Sequence, residues 1–286
     1  MQIVILGAAG QLGRELARAL PDAMALTRAD LDIADAARVD DRLGRLDAGT
    51  VVVNATAENR VDHAETDATD AVAVNVLGVA HLARVCRARN AVLVHVSTDY
   101  VFDGRASRPY TEDDVPHPLG AYARSKLAGE LVARALAPRH AIVRTAGLYA
   151  AGGSRGKGGS FVDRVLEKAR RGEPLQIVDD QVTAPTWTRD LATALVRLLP
   201  RLATGDAPTG VYHVTNTGAC SWYDFARAAL ELAGVTASVT PITSAALAAP
   251  APRPPYSVLA NARLAALGEP PLRSWRDALA AYLASR

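Results

Sequence analysis

The sequence Gly7-Ala-Ala-Gly10-Gln-Leu-Gly13, directly after the apolar run Ile3 to Leu6, decides the fold. A strand that enters this turn and leaves on a helix brings bare backbone N–H groups and the positive end of the helix together, and a pyrophosphate binds well there. The glycines allow the tight turn and the close approach of a ligand. A strand-to-helix turn without a ligand is the alternative, but this spacing in a βαβ pattern favours a dinucleotide.

Runs of apolar, β-branched residues recur along the first half of the chain, and each is followed by a helical pattern. The strands are predicted at residues 3–6, 51–53, 92–96 and 141–143, and the helices near residues 11–20, 34–46, 68–88 and 120–136. Strands that alternate with helices form a parallel sheet covered on both faces. The prediction is therefore an α/β fold, a Rossmann-like doubly wound parallel sheet with a smaller C-terminal substrate-binding lobe.

The regular alternation weakens after residue 150, where the stretch Ala150 to Gly159 is rich in glycine and precedes a helix that Ser160 and Asp163 cap. Later elements are expected near residues 175–178, 188–199, 211–214 and 273–284, with a further helix after Ser221. We expect residues 1–150 to form an NAD(P)-binding Rossmann domain. Residues 151–286 are expected to form mainly the substrate-binding lobe, with some elements packing back on the first domain.

The composition argues against several classes of protein. With 32 basic and 30 acidic residues along the chain, the net charge of +2 offers no electrostatic basis for binding nucleic acid or an anionic membrane. Two cysteines, Cys86 and Cys220, provide neither a disulfide framework nor a C-x-x-C metal pair, and the six histidines show no ligand spacing. No basic leader precedes the first strand, and we expect no apolar run of the ~18 residues that a membrane span needs. The sequence predicts a cytoplasmic protein without a metal site.

A second informative pattern is Tyr122-Ala-Arg-Ser-Lys126, which lies 24 residues after Thr98. Residues four apart share one face of a helix, so the Lys126 ammonium is expected beside the Tyr122 phenol, where it makes the phenol easier to ionise. A phenol with a lowered pKa serves as a proton donor and acceptor near neutral pH. Alone, this spacing is typical of half-exposed surface helices, but the glycine-rich turn and Thr98 favour a catalytic interpretation.

Thr98 follows a buried strand pattern and stands at its carboxyl end, where open α/β sheets bind their ligands. Together these residues predict the reduction of a ketone. A nicotinamide would deliver hydride to the carbonyl carbon, while Thr98 hydrogen-bonds the oxygen and Tyr122 supplies the proton. Lys126 would bind the nicotinamide ribose and lower the pKa of Tyr122.

The end of the second strand of the βαβ unit, at Leu26-Thr27-Arg28, indicates which dinucleotide binds. An acidic residue there would hold a ribose 2′-hydroxyl, whereas a basic one would hold a 2′-phosphate. Arg28 favours NADPH, and NADH is the alternative because Asp30 lies just beyond. Further cofactor contacts are predicted at residues that are small or that follow a strand: Asp32, Ile33, Thr56 and Ala57.

These residues resemble the extended short-chain dehydrogenase/reductases and, within that group, the dTDP-4-dehydrorhamnose reductases. The similarity runs almost from end to end. Its most specific motifs are Ser97-Thr-Asp-Tyr-Val-Phe-Asp-Gly104 and Asp180-Gln-Val-Thr-Ala-Pro-Thr186. Shorter matches are Gly7 to Gly13, Val61 to Glu65, Asn75 to Gly78, Tyr122 to Gly129, Arg144-Thr145 and Arg253 to Ser257.

The resemblance implies reduction of the 4-keto group of a nucleotide-linked 6-deoxy sugar, which in this family gives dTDP-L-rhamnose. It also implies roles for individual residues by position. The catalytic residues would be Thr98, Tyr122 and Lys126, and the substrate contacts would be Thr98, Asp99 and Tyr100. The cofactor contacts would be Gly10, Gln11, Leu12, Asp32, Ile33 and the segment Thr56 to Glu58, with Tyr122 and Lys126.

Two positions depart from the family pattern. Glu58 stands where an aromatic or histidine residue is common, which affects packing against the cofactor. Gly147, in Arg144-Thr-Ala-Gly147, replaces a tryptophan that lies against the sugar, and loss of that aromatic wall favours a different or bulkier sugar. In the glycine-rich stretch, Arg155 and Lys157 are expected to receive the diphosphate of the substrate, and a surface loop without this role is the alternative.

Two other functions fit parts of the pattern. An NAD-dependent sugar-nucleotide epimerase or dehydratase would return its hydride to the substrate, and a dehydratase would need acid and base groups such as Glu112 to Asp114 brought near the tyrosine. A non-catalytic dinucleotide-binding regulatory subunit would tolerate loss of the catalytic residues, all of which this chain keeps. Some members of the family use Mg²⁺ at a dimer contact, but the sequence shows no ligand cluster for it. A homodimer and a monomer both fit the sequence.

Overall fold

The computed structural model of the chain describes residues 1–153 and 159–286. The strands in this part of the chain are β1 (Ile3–Leu6), β2 (Met24–Leu26), β3 (Val51–Asn54), β4 (Val92–Thr98), β5 (His140–Thr145), β6 (Leu175–Val178), β7 (Val182–Thr183), β8 (Gly210–His213), β9 (Cys220–Ser221) and β10 (Val239–Ile242). The helices are α1 (Gln11–Ala19), α2 (Ala36–Leu43), α3 (His63–Thr66), α4 (Thr69–Val72), α5 (Gly78–Ala88), α6 (Ala121–Leu136), α7 (Phe161–Arg170), α8 (Thr188–Thr204), α9 (Trp222–Leu232), α10 (Ser244–Leu247), α11 (Ala262–Ala266) and α12 (Trp275–Ala284).

The central sheet has six strands in the order β2-β1-β3-β4-β5-β8, and all of its neighbouring pairs are parallel. Every residue of β1, β3 and β5 is buried, as expected for strands that carry helices on both faces. Ile3 and Ile5 pack beneath α1 and α8, whereas Val4 and Leu6 pack on the opposite face beneath α2 and α5. The predicted Rossmann-like, doubly wound sheet is thereby confirmed.

Residues beyond 150 contribute to two cores. Helix α8 packs against α1, and β8 extends the central sheet at β5. Helices α7, α9 and α12 surround a separate apolar cluster that includes Phe225 and Tyr282. The predicted cap of α7 is present, because the Ser160 hydroxyl accepts from Asp163 N while the Asp163 carboxylate accepts from Ser160 N.

Two small pairings escaped the sequence pattern. Strand β10 pairs in parallel with β6, and β7 pairs antiparallel with β9. Short strands with a half-exposed, mixed composition carry too little periodicity to stand out. A π-helical turn, Ala73–Leu77, also interrupts the predicted helix 68–88 between α4 and α5.

The stretch Thr69–Ala88 is long and apolar enough to cross a membrane by length and composition, with a mean hydropathy of 1.3. The expectation that no such run exists was therefore wrong. In the fold this stretch packs against α6 and β4, and Val79, Leu82 and Val85 lie in the core. This packing accounts for the buried part of the stretch, whereas Val72 and Leu77 are exposed.

A buried ion pair ties α6 to the centre of the sheet. Arg144 on β5 donates two hydrogen bonds to Glu130 on α6, at 2.9 Å from Nε to Oε1 and 2.7 Å from Nη2 to Oε2. Ser97 on β4 donates a further bond to Glu130 Oε1 at 2.6 Å. The two charged side chains are 2% and 1% exposed, so each depends on the other for its solvation.

Glu130→Ala should therefore lower the free energy of unfolding by about 3–5 kcal/mol, because it leaves the Arg144 guanidinium buried without its partner. Urea denaturation measures this loss. Glu231→Ala is the matched control, because it breaks the exposed pair with Arg276 and should cost no more than about 1 kcal/mol. Equal losses for the two variants would contradict this assignment.

Candidate active site

The glycine-rich turn between β1 and α1 has no room for side chains. A Cβ added at Gly13 would lie 2.1 Å from Gly7 O, and one added at Gly7 would lie 2.9 Å from Ala55 O. Gly7 also has a φ of 81°, which glycine adopts without strain. Gly10 begins α1 without a capping side chain, so the turn presents backbone at the positive end of the helix. This backbone cradle fits a pyrophosphate.

Arg14 on α1 connects this helix with residues near position 150. Its guanidinium donates to Ala9 O within the turn at 2.8 Å. It also donates to Ala151 O at 3.1 Å and Gly153 O at 2.9 Å, where the glycine-rich stretch begins. The turn and the entry to that stretch are thus joined by one side chain.

Two carboxylates, those of Asp30 and Asp32, form the polar contacts of the residues just after β2. Asp30 accepts from Thr27 N and Thr27 Oγ1, and these bonds lower the pKa of Asp30. Arg28 is exposed and forms an ion pair with Asp32 at 3.1 Å. Ile33 is buried in the core on the α2 and α5 side of the sheet. Arg28 and Asp30 are exposed to solvent, whereas Asp32 is half-buried.

The segment after β3 is held by two asparagines. Asn54 Oδ1 accepts from Thr56 N and Thr56 Oγ1. Asn75 in the π-helical turn accepts from Glu58 N and donates to Glu58 O, both at 3.0 Å. Burial opposes ionisation of the Glu58 carboxyl, but hydrogen bonds from Arg60 outweigh it and lower the pKa of Glu58. The segment Thr56 to Glu58 is therefore fixed in place with a charged side chain.

Thr98 and Tyr122 meet at the carboxyl end of β4. Thr98 Oγ1 donates to Asp99 Oδ1 at 3.1 Å and accepts from Tyr100 N at 3.2 Å. Tyr122 lies in the first turn of α6, whose Ala121 N donates to Glu65 Oε1 at 2.6 Å. Burial raises the pKa of Tyr122, as does the charge of Asp99, whereas a hydrogen bond with Thr98 lowers it. At neutral pH the Tyr122 phenol therefore carries its proton.

Lys126 lies one turn further along α6 and is 1% exposed. Its Nζ donates to Val96 O at 2.8 Å and lies 3.4 Å from His95 Nε2. Burial lowers the pKa of Lys126 to about 8, against the charge of Glu130. The expected lowering of the Tyr122 pKa by Lys126 is absent from this structure, because the amine points to β4 and burial dominates at the phenol.

A cavity of about 220 Å³ opens above Thr98 and Tyr122. Its walls come from the end of β4, the start of α6 and several later segments. The side chains and glycine that line it are Asn59, Val61, Ser97, Thr98, Asp99, Tyr100, Tyr122, Thr145, Gly147, Leu148, Gln181, Val182, Thr183, Trp222, Pro254 and Ser257. The cavity thus joins the predicted catalytic and substrate residues of β4 and α6 to residues beyond 150.

The Asp99 carboxylate is 3% exposed and sits among hydroxyl groups. Oδ2 accepts from Ser257 at 2.5 Å and from Thr183 at 3.5 Å, and Oδ1 accepts from Thr98. Burial raises the pKa of Asp99 to about 6, although these hydrogen bonds favour its charged form. A carboxyl group that titrates near neutrality therefore lies beside Thr98.

Glu112 lies elsewhere, contrary to the idea that it could be brought near the tyrosine. Its Oε1 accepts from His213 N and Arg263 N, both at 3.1 Å. Asp113 pairs with Arg263 and Asp114 with Arg108. These carboxylates hold loops together and do not line the cavity.

Comparison with known proteins agrees with this geometry. The family described as the RmlD substrate binding domain matches residues 1–286. The chain belongs to this family. A dTDP-4-dehydrorhamnose reductase of Streptomyces griseus is 45% identical over 282 residues, which cover 96% of this chain and 91% of that protein. A dTDP-4-keto-6-deoxy-D-glucose reductase of Streptomyces niveus is 40% identical over 282 residues, which cover 96% of this chain and 94% of that protein.

 Both matches thus span nearly the whole of each protein.

A solved structure has nearly the same fold as this chain. The dTDP-4-dehydrorhamnose reductase of Bacillus anthracis in complex with NADP has a TM-score of 0.92 at 30% identity, and the match covers 100% of both chains. The resemblance predicted from the sequence motifs is thereby confirmed.

Within this RmlD family member, Trp222 was missed by sequence reasoning. Gly147 has a φ of 53°, and a Cβ added there would lie 3.4 Å from Trp222 Cη2 and 3.1 Å from Pro185 Cα. Trp222 begins α9 and packs against Phe161, with ring centroids 4.7 Å apart. An aromatic side chain from a later helix therefore borders the space beside Gly147. The sequence pattern indicated Gly147 but carried no signal for the residue that lies beside it.

Two further predictions concern the substrate diphosphate and a metal ion. Arg155 and Lys157 lie outside the described residues. Within residues 1–153 and 159–286, no group of three or more His, Cys, Asp or Glu side chains is arranged to hold a metal ion.

The pH dependence of stability should reveal Asp99. Its pKa is about 6 in the folded protein and near 3.8 when unfolded, so the folded state binds more protons between these values. Stability contributed by the protonated carboxyl is therefore lost as pH rises from about 4 to 6, by roughly 3 kcal/mol. Asp99→Asn should remove this loss, so its stability relative to the unaltered protein should increase from pH 4 to pH 7.

Urea denaturation at a series of pH values measures the difference between the two proteins. The exposed Asp22 provides the control, because Asp22→Asn alters a carboxyl that water solvates in both states. A difference between Asp99→Asn and the unaltered protein that stays constant with pH would contradict the assignment.

Proposed function

We propose that this protein is an NADPH-dependent reductase of the 4-keto group of a nucleotide-linked 6-deoxy sugar. The substrate we favour is dTDP-4-dehydro-L-rhamnose, and the product is dTDP-L-rhamnose. The observation that carries this proposal is the meeting of Thr98 and Tyr122 in one cavity at the end of β4. The names of the Streptomyces griseus and Bacillus anthracis relatives support the substrate, and the NADP bound by the latter supports the cofactor.

The cofactor would lie along the carboxyl edge of the sheet. The backbone cradle of Gly7, Gly10 and Gly13 would hold its pyrophosphate, with Gln11 and Leu12 at the start of α1 beside it. Arg28 is exposed and suits a ribose 2′-phosphate, which favours NADPH over NADH. The fixed segment Thr56 to Glu58 would run beside the bound dinucleotide.

The reduced nicotinamide supplies a hydride when it is bound. The Thr98 hydroxyl, which donates to Asp99 here, would turn to donate its hydrogen to the substrate carbonyl and so orient it. The Tyr122 phenol keeps its proton at neutral pH, and it would transfer that proton to the oxygen as the carbonyl carbon gains the hydride. The hydride and this proton together convert the ketone to an alcohol. Lys126, as an ammonium, would hold the ribose of the nicotinamide.

The alternatives differ in how they use the dinucleotide. An epimerase or dehydratase returns its hydride and consumes no net NADPH, whereas the reductase oxidises one NADPH for each sugar reduced. Glu112 is occupied by backbone hydrogen bonds, which leaves Asp99 as the acid nearest Thr98. A non-catalytic regulatory subunit would have no need for the buried arrangement of Thr98, Tyr122 and Lys126.

The remaining expectations belong to the same proposal. A nucleotide sugar is the partner, with neither nucleic acid nor a membrane, and the protein acts in the cytoplasm as a monomer or a homodimer. Residues 1–150 would bind the dinucleotide and residues 151–286 mainly the sugar nucleotide. Arg155 and Lys157 are proposed to bind the substrate diphosphate. Mg²⁺ has no assigned role, because the described residues offer no ligand cluster for it.

Tyr122→Phe tests the proposed function directly. It removes the positioned proton donor, so we expect the rate of NADPH oxidation with dTDP-4-dehydro-L-rhamnose to fall by about 100-fold or more. NADPH should still bind, and intrinsic cofactor fluorescence measures its affinity. Tyr223→Phe is the matched control and should keep full activity, because Tyr223 is half-buried in the first turn of α9 and does not line the cavity. Full activity in Tyr122→Phe would refute the mechanism.

Trp222→Ala tests whether the aromatic ring beside Gly147 contacts the sugar nucleotide. Loss of a large apolar contact should raise the KM for this substrate about ten-fold, with a smaller effect on kcat. Initial rates at varied substrate concentration separate the two constants. Trp275→Ala removes a comparable ring from the same apolar cluster but away from the cavity, so its KM should stay unchanged. Equal KM values for the two variants would exclude the contact.

A further inference from the structure

A row of buried polar side chains runs from Asn54 on β3 through His95 to Lys126. His95 on β4 is fully buried, and its two ring nitrogens face different partners. Nδ1 lies 3.1 Å from Asn54 Nδ2, and Nε2 lies 3.4 Å from Lys126 Nζ. The mechanism proposed above uses Lys126 but gives no role to His95 or Asn54.

The orientation of the Asn54 amide follows from its other contacts. Oδ1 accepts from Thr56 N at 3.1 Å and from Thr56 Oγ1 at 2.6 Å. A backbone N–H only donates, so the oxygen of the amide must lie on the Thr56 side. The NH₂ group of Asn54 is therefore the end that faces His95.

This orientation selects one tautomer of the imidazole. An amide NH₂ donates, so His95 Nδ1 must offer its lone pair. Burial lowers the pKa of His95 far below its usual value, and the charge of Lys126 adds to this effect, so the ring is neutral. A neutral ring with a bare Nδ1 carries its hydrogen on Nε2. His95 thus presents an N–H to the amine of Lys126.

An ammonium group has donors and no acceptor, so it forms no hydrogen bond with this N–H, whereas a neutral amine accepts from it. We propose that the chain Thr56–Asn54–His95 favours the neutral amine of Lys126, which makes His95 a positioning residue that influences the charge of Lys126. Val96 O accepts from Nζ in either state. The contact with His95 is therefore the one that distinguishes the two forms.

The other charges around Lys126 act in the opposite direction or are already paired. Glu130 follows it on α6 and favours the ammonium, but its carboxylate also binds Arg144 on β5 and Ser97 on β4. Tyr122 precedes it on α6 and keeps its proton at neutral pH. On β4 the titratable group that faces the amine is His95. Burial, the largest influence, brings the pKa of Lys126 to about 8, so modest interactions decide its charge near working pH.

The full chain is well suited to a direct test. It has three lysines, Lys126, Lys157 and Lys168, so protein labelled with ¹³C-lysine gives three side-chain signals, and Lys126→Met assigns the relevant one. Asn54→Asp keeps the acceptor for Thr56 but replaces the NH₂ with a carboxylate oxygen. That oxygen requires a hydrogen on Nδ1 of His95, which leaves Nε2 bare to accept from the ammonium. We expect the titration midpoint of Lys126 to rise by about one pH unit or more.

The added charge of Asn54→Asp would itself raise the midpoint, so the double variant with His95→Phe separates the two effects. The proposal requires most of the rise to disappear when the imidazole is absent. An equal rise in both backgrounds would overturn it. Nitrogen-15 spectra of the unaltered protein give a second test without any substitution: a hydrogen on Nδ1 of neutral His95 would overturn the proposal, and a hydrogen on Nε2 supports it.

The inference rests on the proposed reductase function only for its kinetic consequence. If the Lys126 ammonium is the active form, reduction should decline at alkaline pH, and Asn54→Asp should move that decline to higher pH. The spectroscopic titration needs no turnover. Absence of NADPH oxidation would therefore refute the proposed function alone, whereas an unmoved Lys126 signal in Asn54→Asp would refute the role of His95 alone.

Discussion

The buried pair of Glu130 and Arg144 is the contact on which the site depends. It joins α6 to β5, and the bond from Ser97 extends it to β4. Lys126 lies one helical turn before Glu130 and Tyr122 lies two turns before it, so the pair also fixes the distance between the phenol and Thr98. A salt bridge of this kind contributes little net stability against an apolar substitute. Its value here is that it holds one helix in one register over the sheet.

The catalytic edge is completed by residues that are remote in sequence. Asp99 is covered by Ser257 and Thr183, whose hydroxyls donate to its carboxylate. Arg253 pairs with Asp62 and so ties the segment Arg253 to Ser257 to the loop after β3. The contacts of Asp99 connect the end of β4 with Thr183 and Ser257. The cavity therefore has walls from residues before and after position 150. Rigid strands and helices carry the reacting groups, and loops close around them.

The sequence was sufficient for most of the fold and for the principal catalytic residues. Fully buried parallel strands are continuous apolar runs, and Thr98 is placed by the strand that it ends. The environment of Lys126 was beyond it, since helical spacing relates Lys126 to Tyr122 but not to His95 or Val96 on a strand thirty residues earlier. Trp222 was missed for the same reason, because its position beside Gly147 depends on how α9 packs on the rest of the chain.

Arg14 connects the proposed dinucleotide cradle with the glycine-rich stretch. It is anchored in the first helix of the dinucleotide cradle and holds the backbone of Ala151 and Gly153. A shift of α1 would therefore have to move this backbone as well or break the two hydrogen bonds. If one ligand changes the affinity for the other through this contact, the second ligand must change the affinity for the first by the same factor. Coupling through this one guanidinium group would therefore be the same whichever ligand binds first.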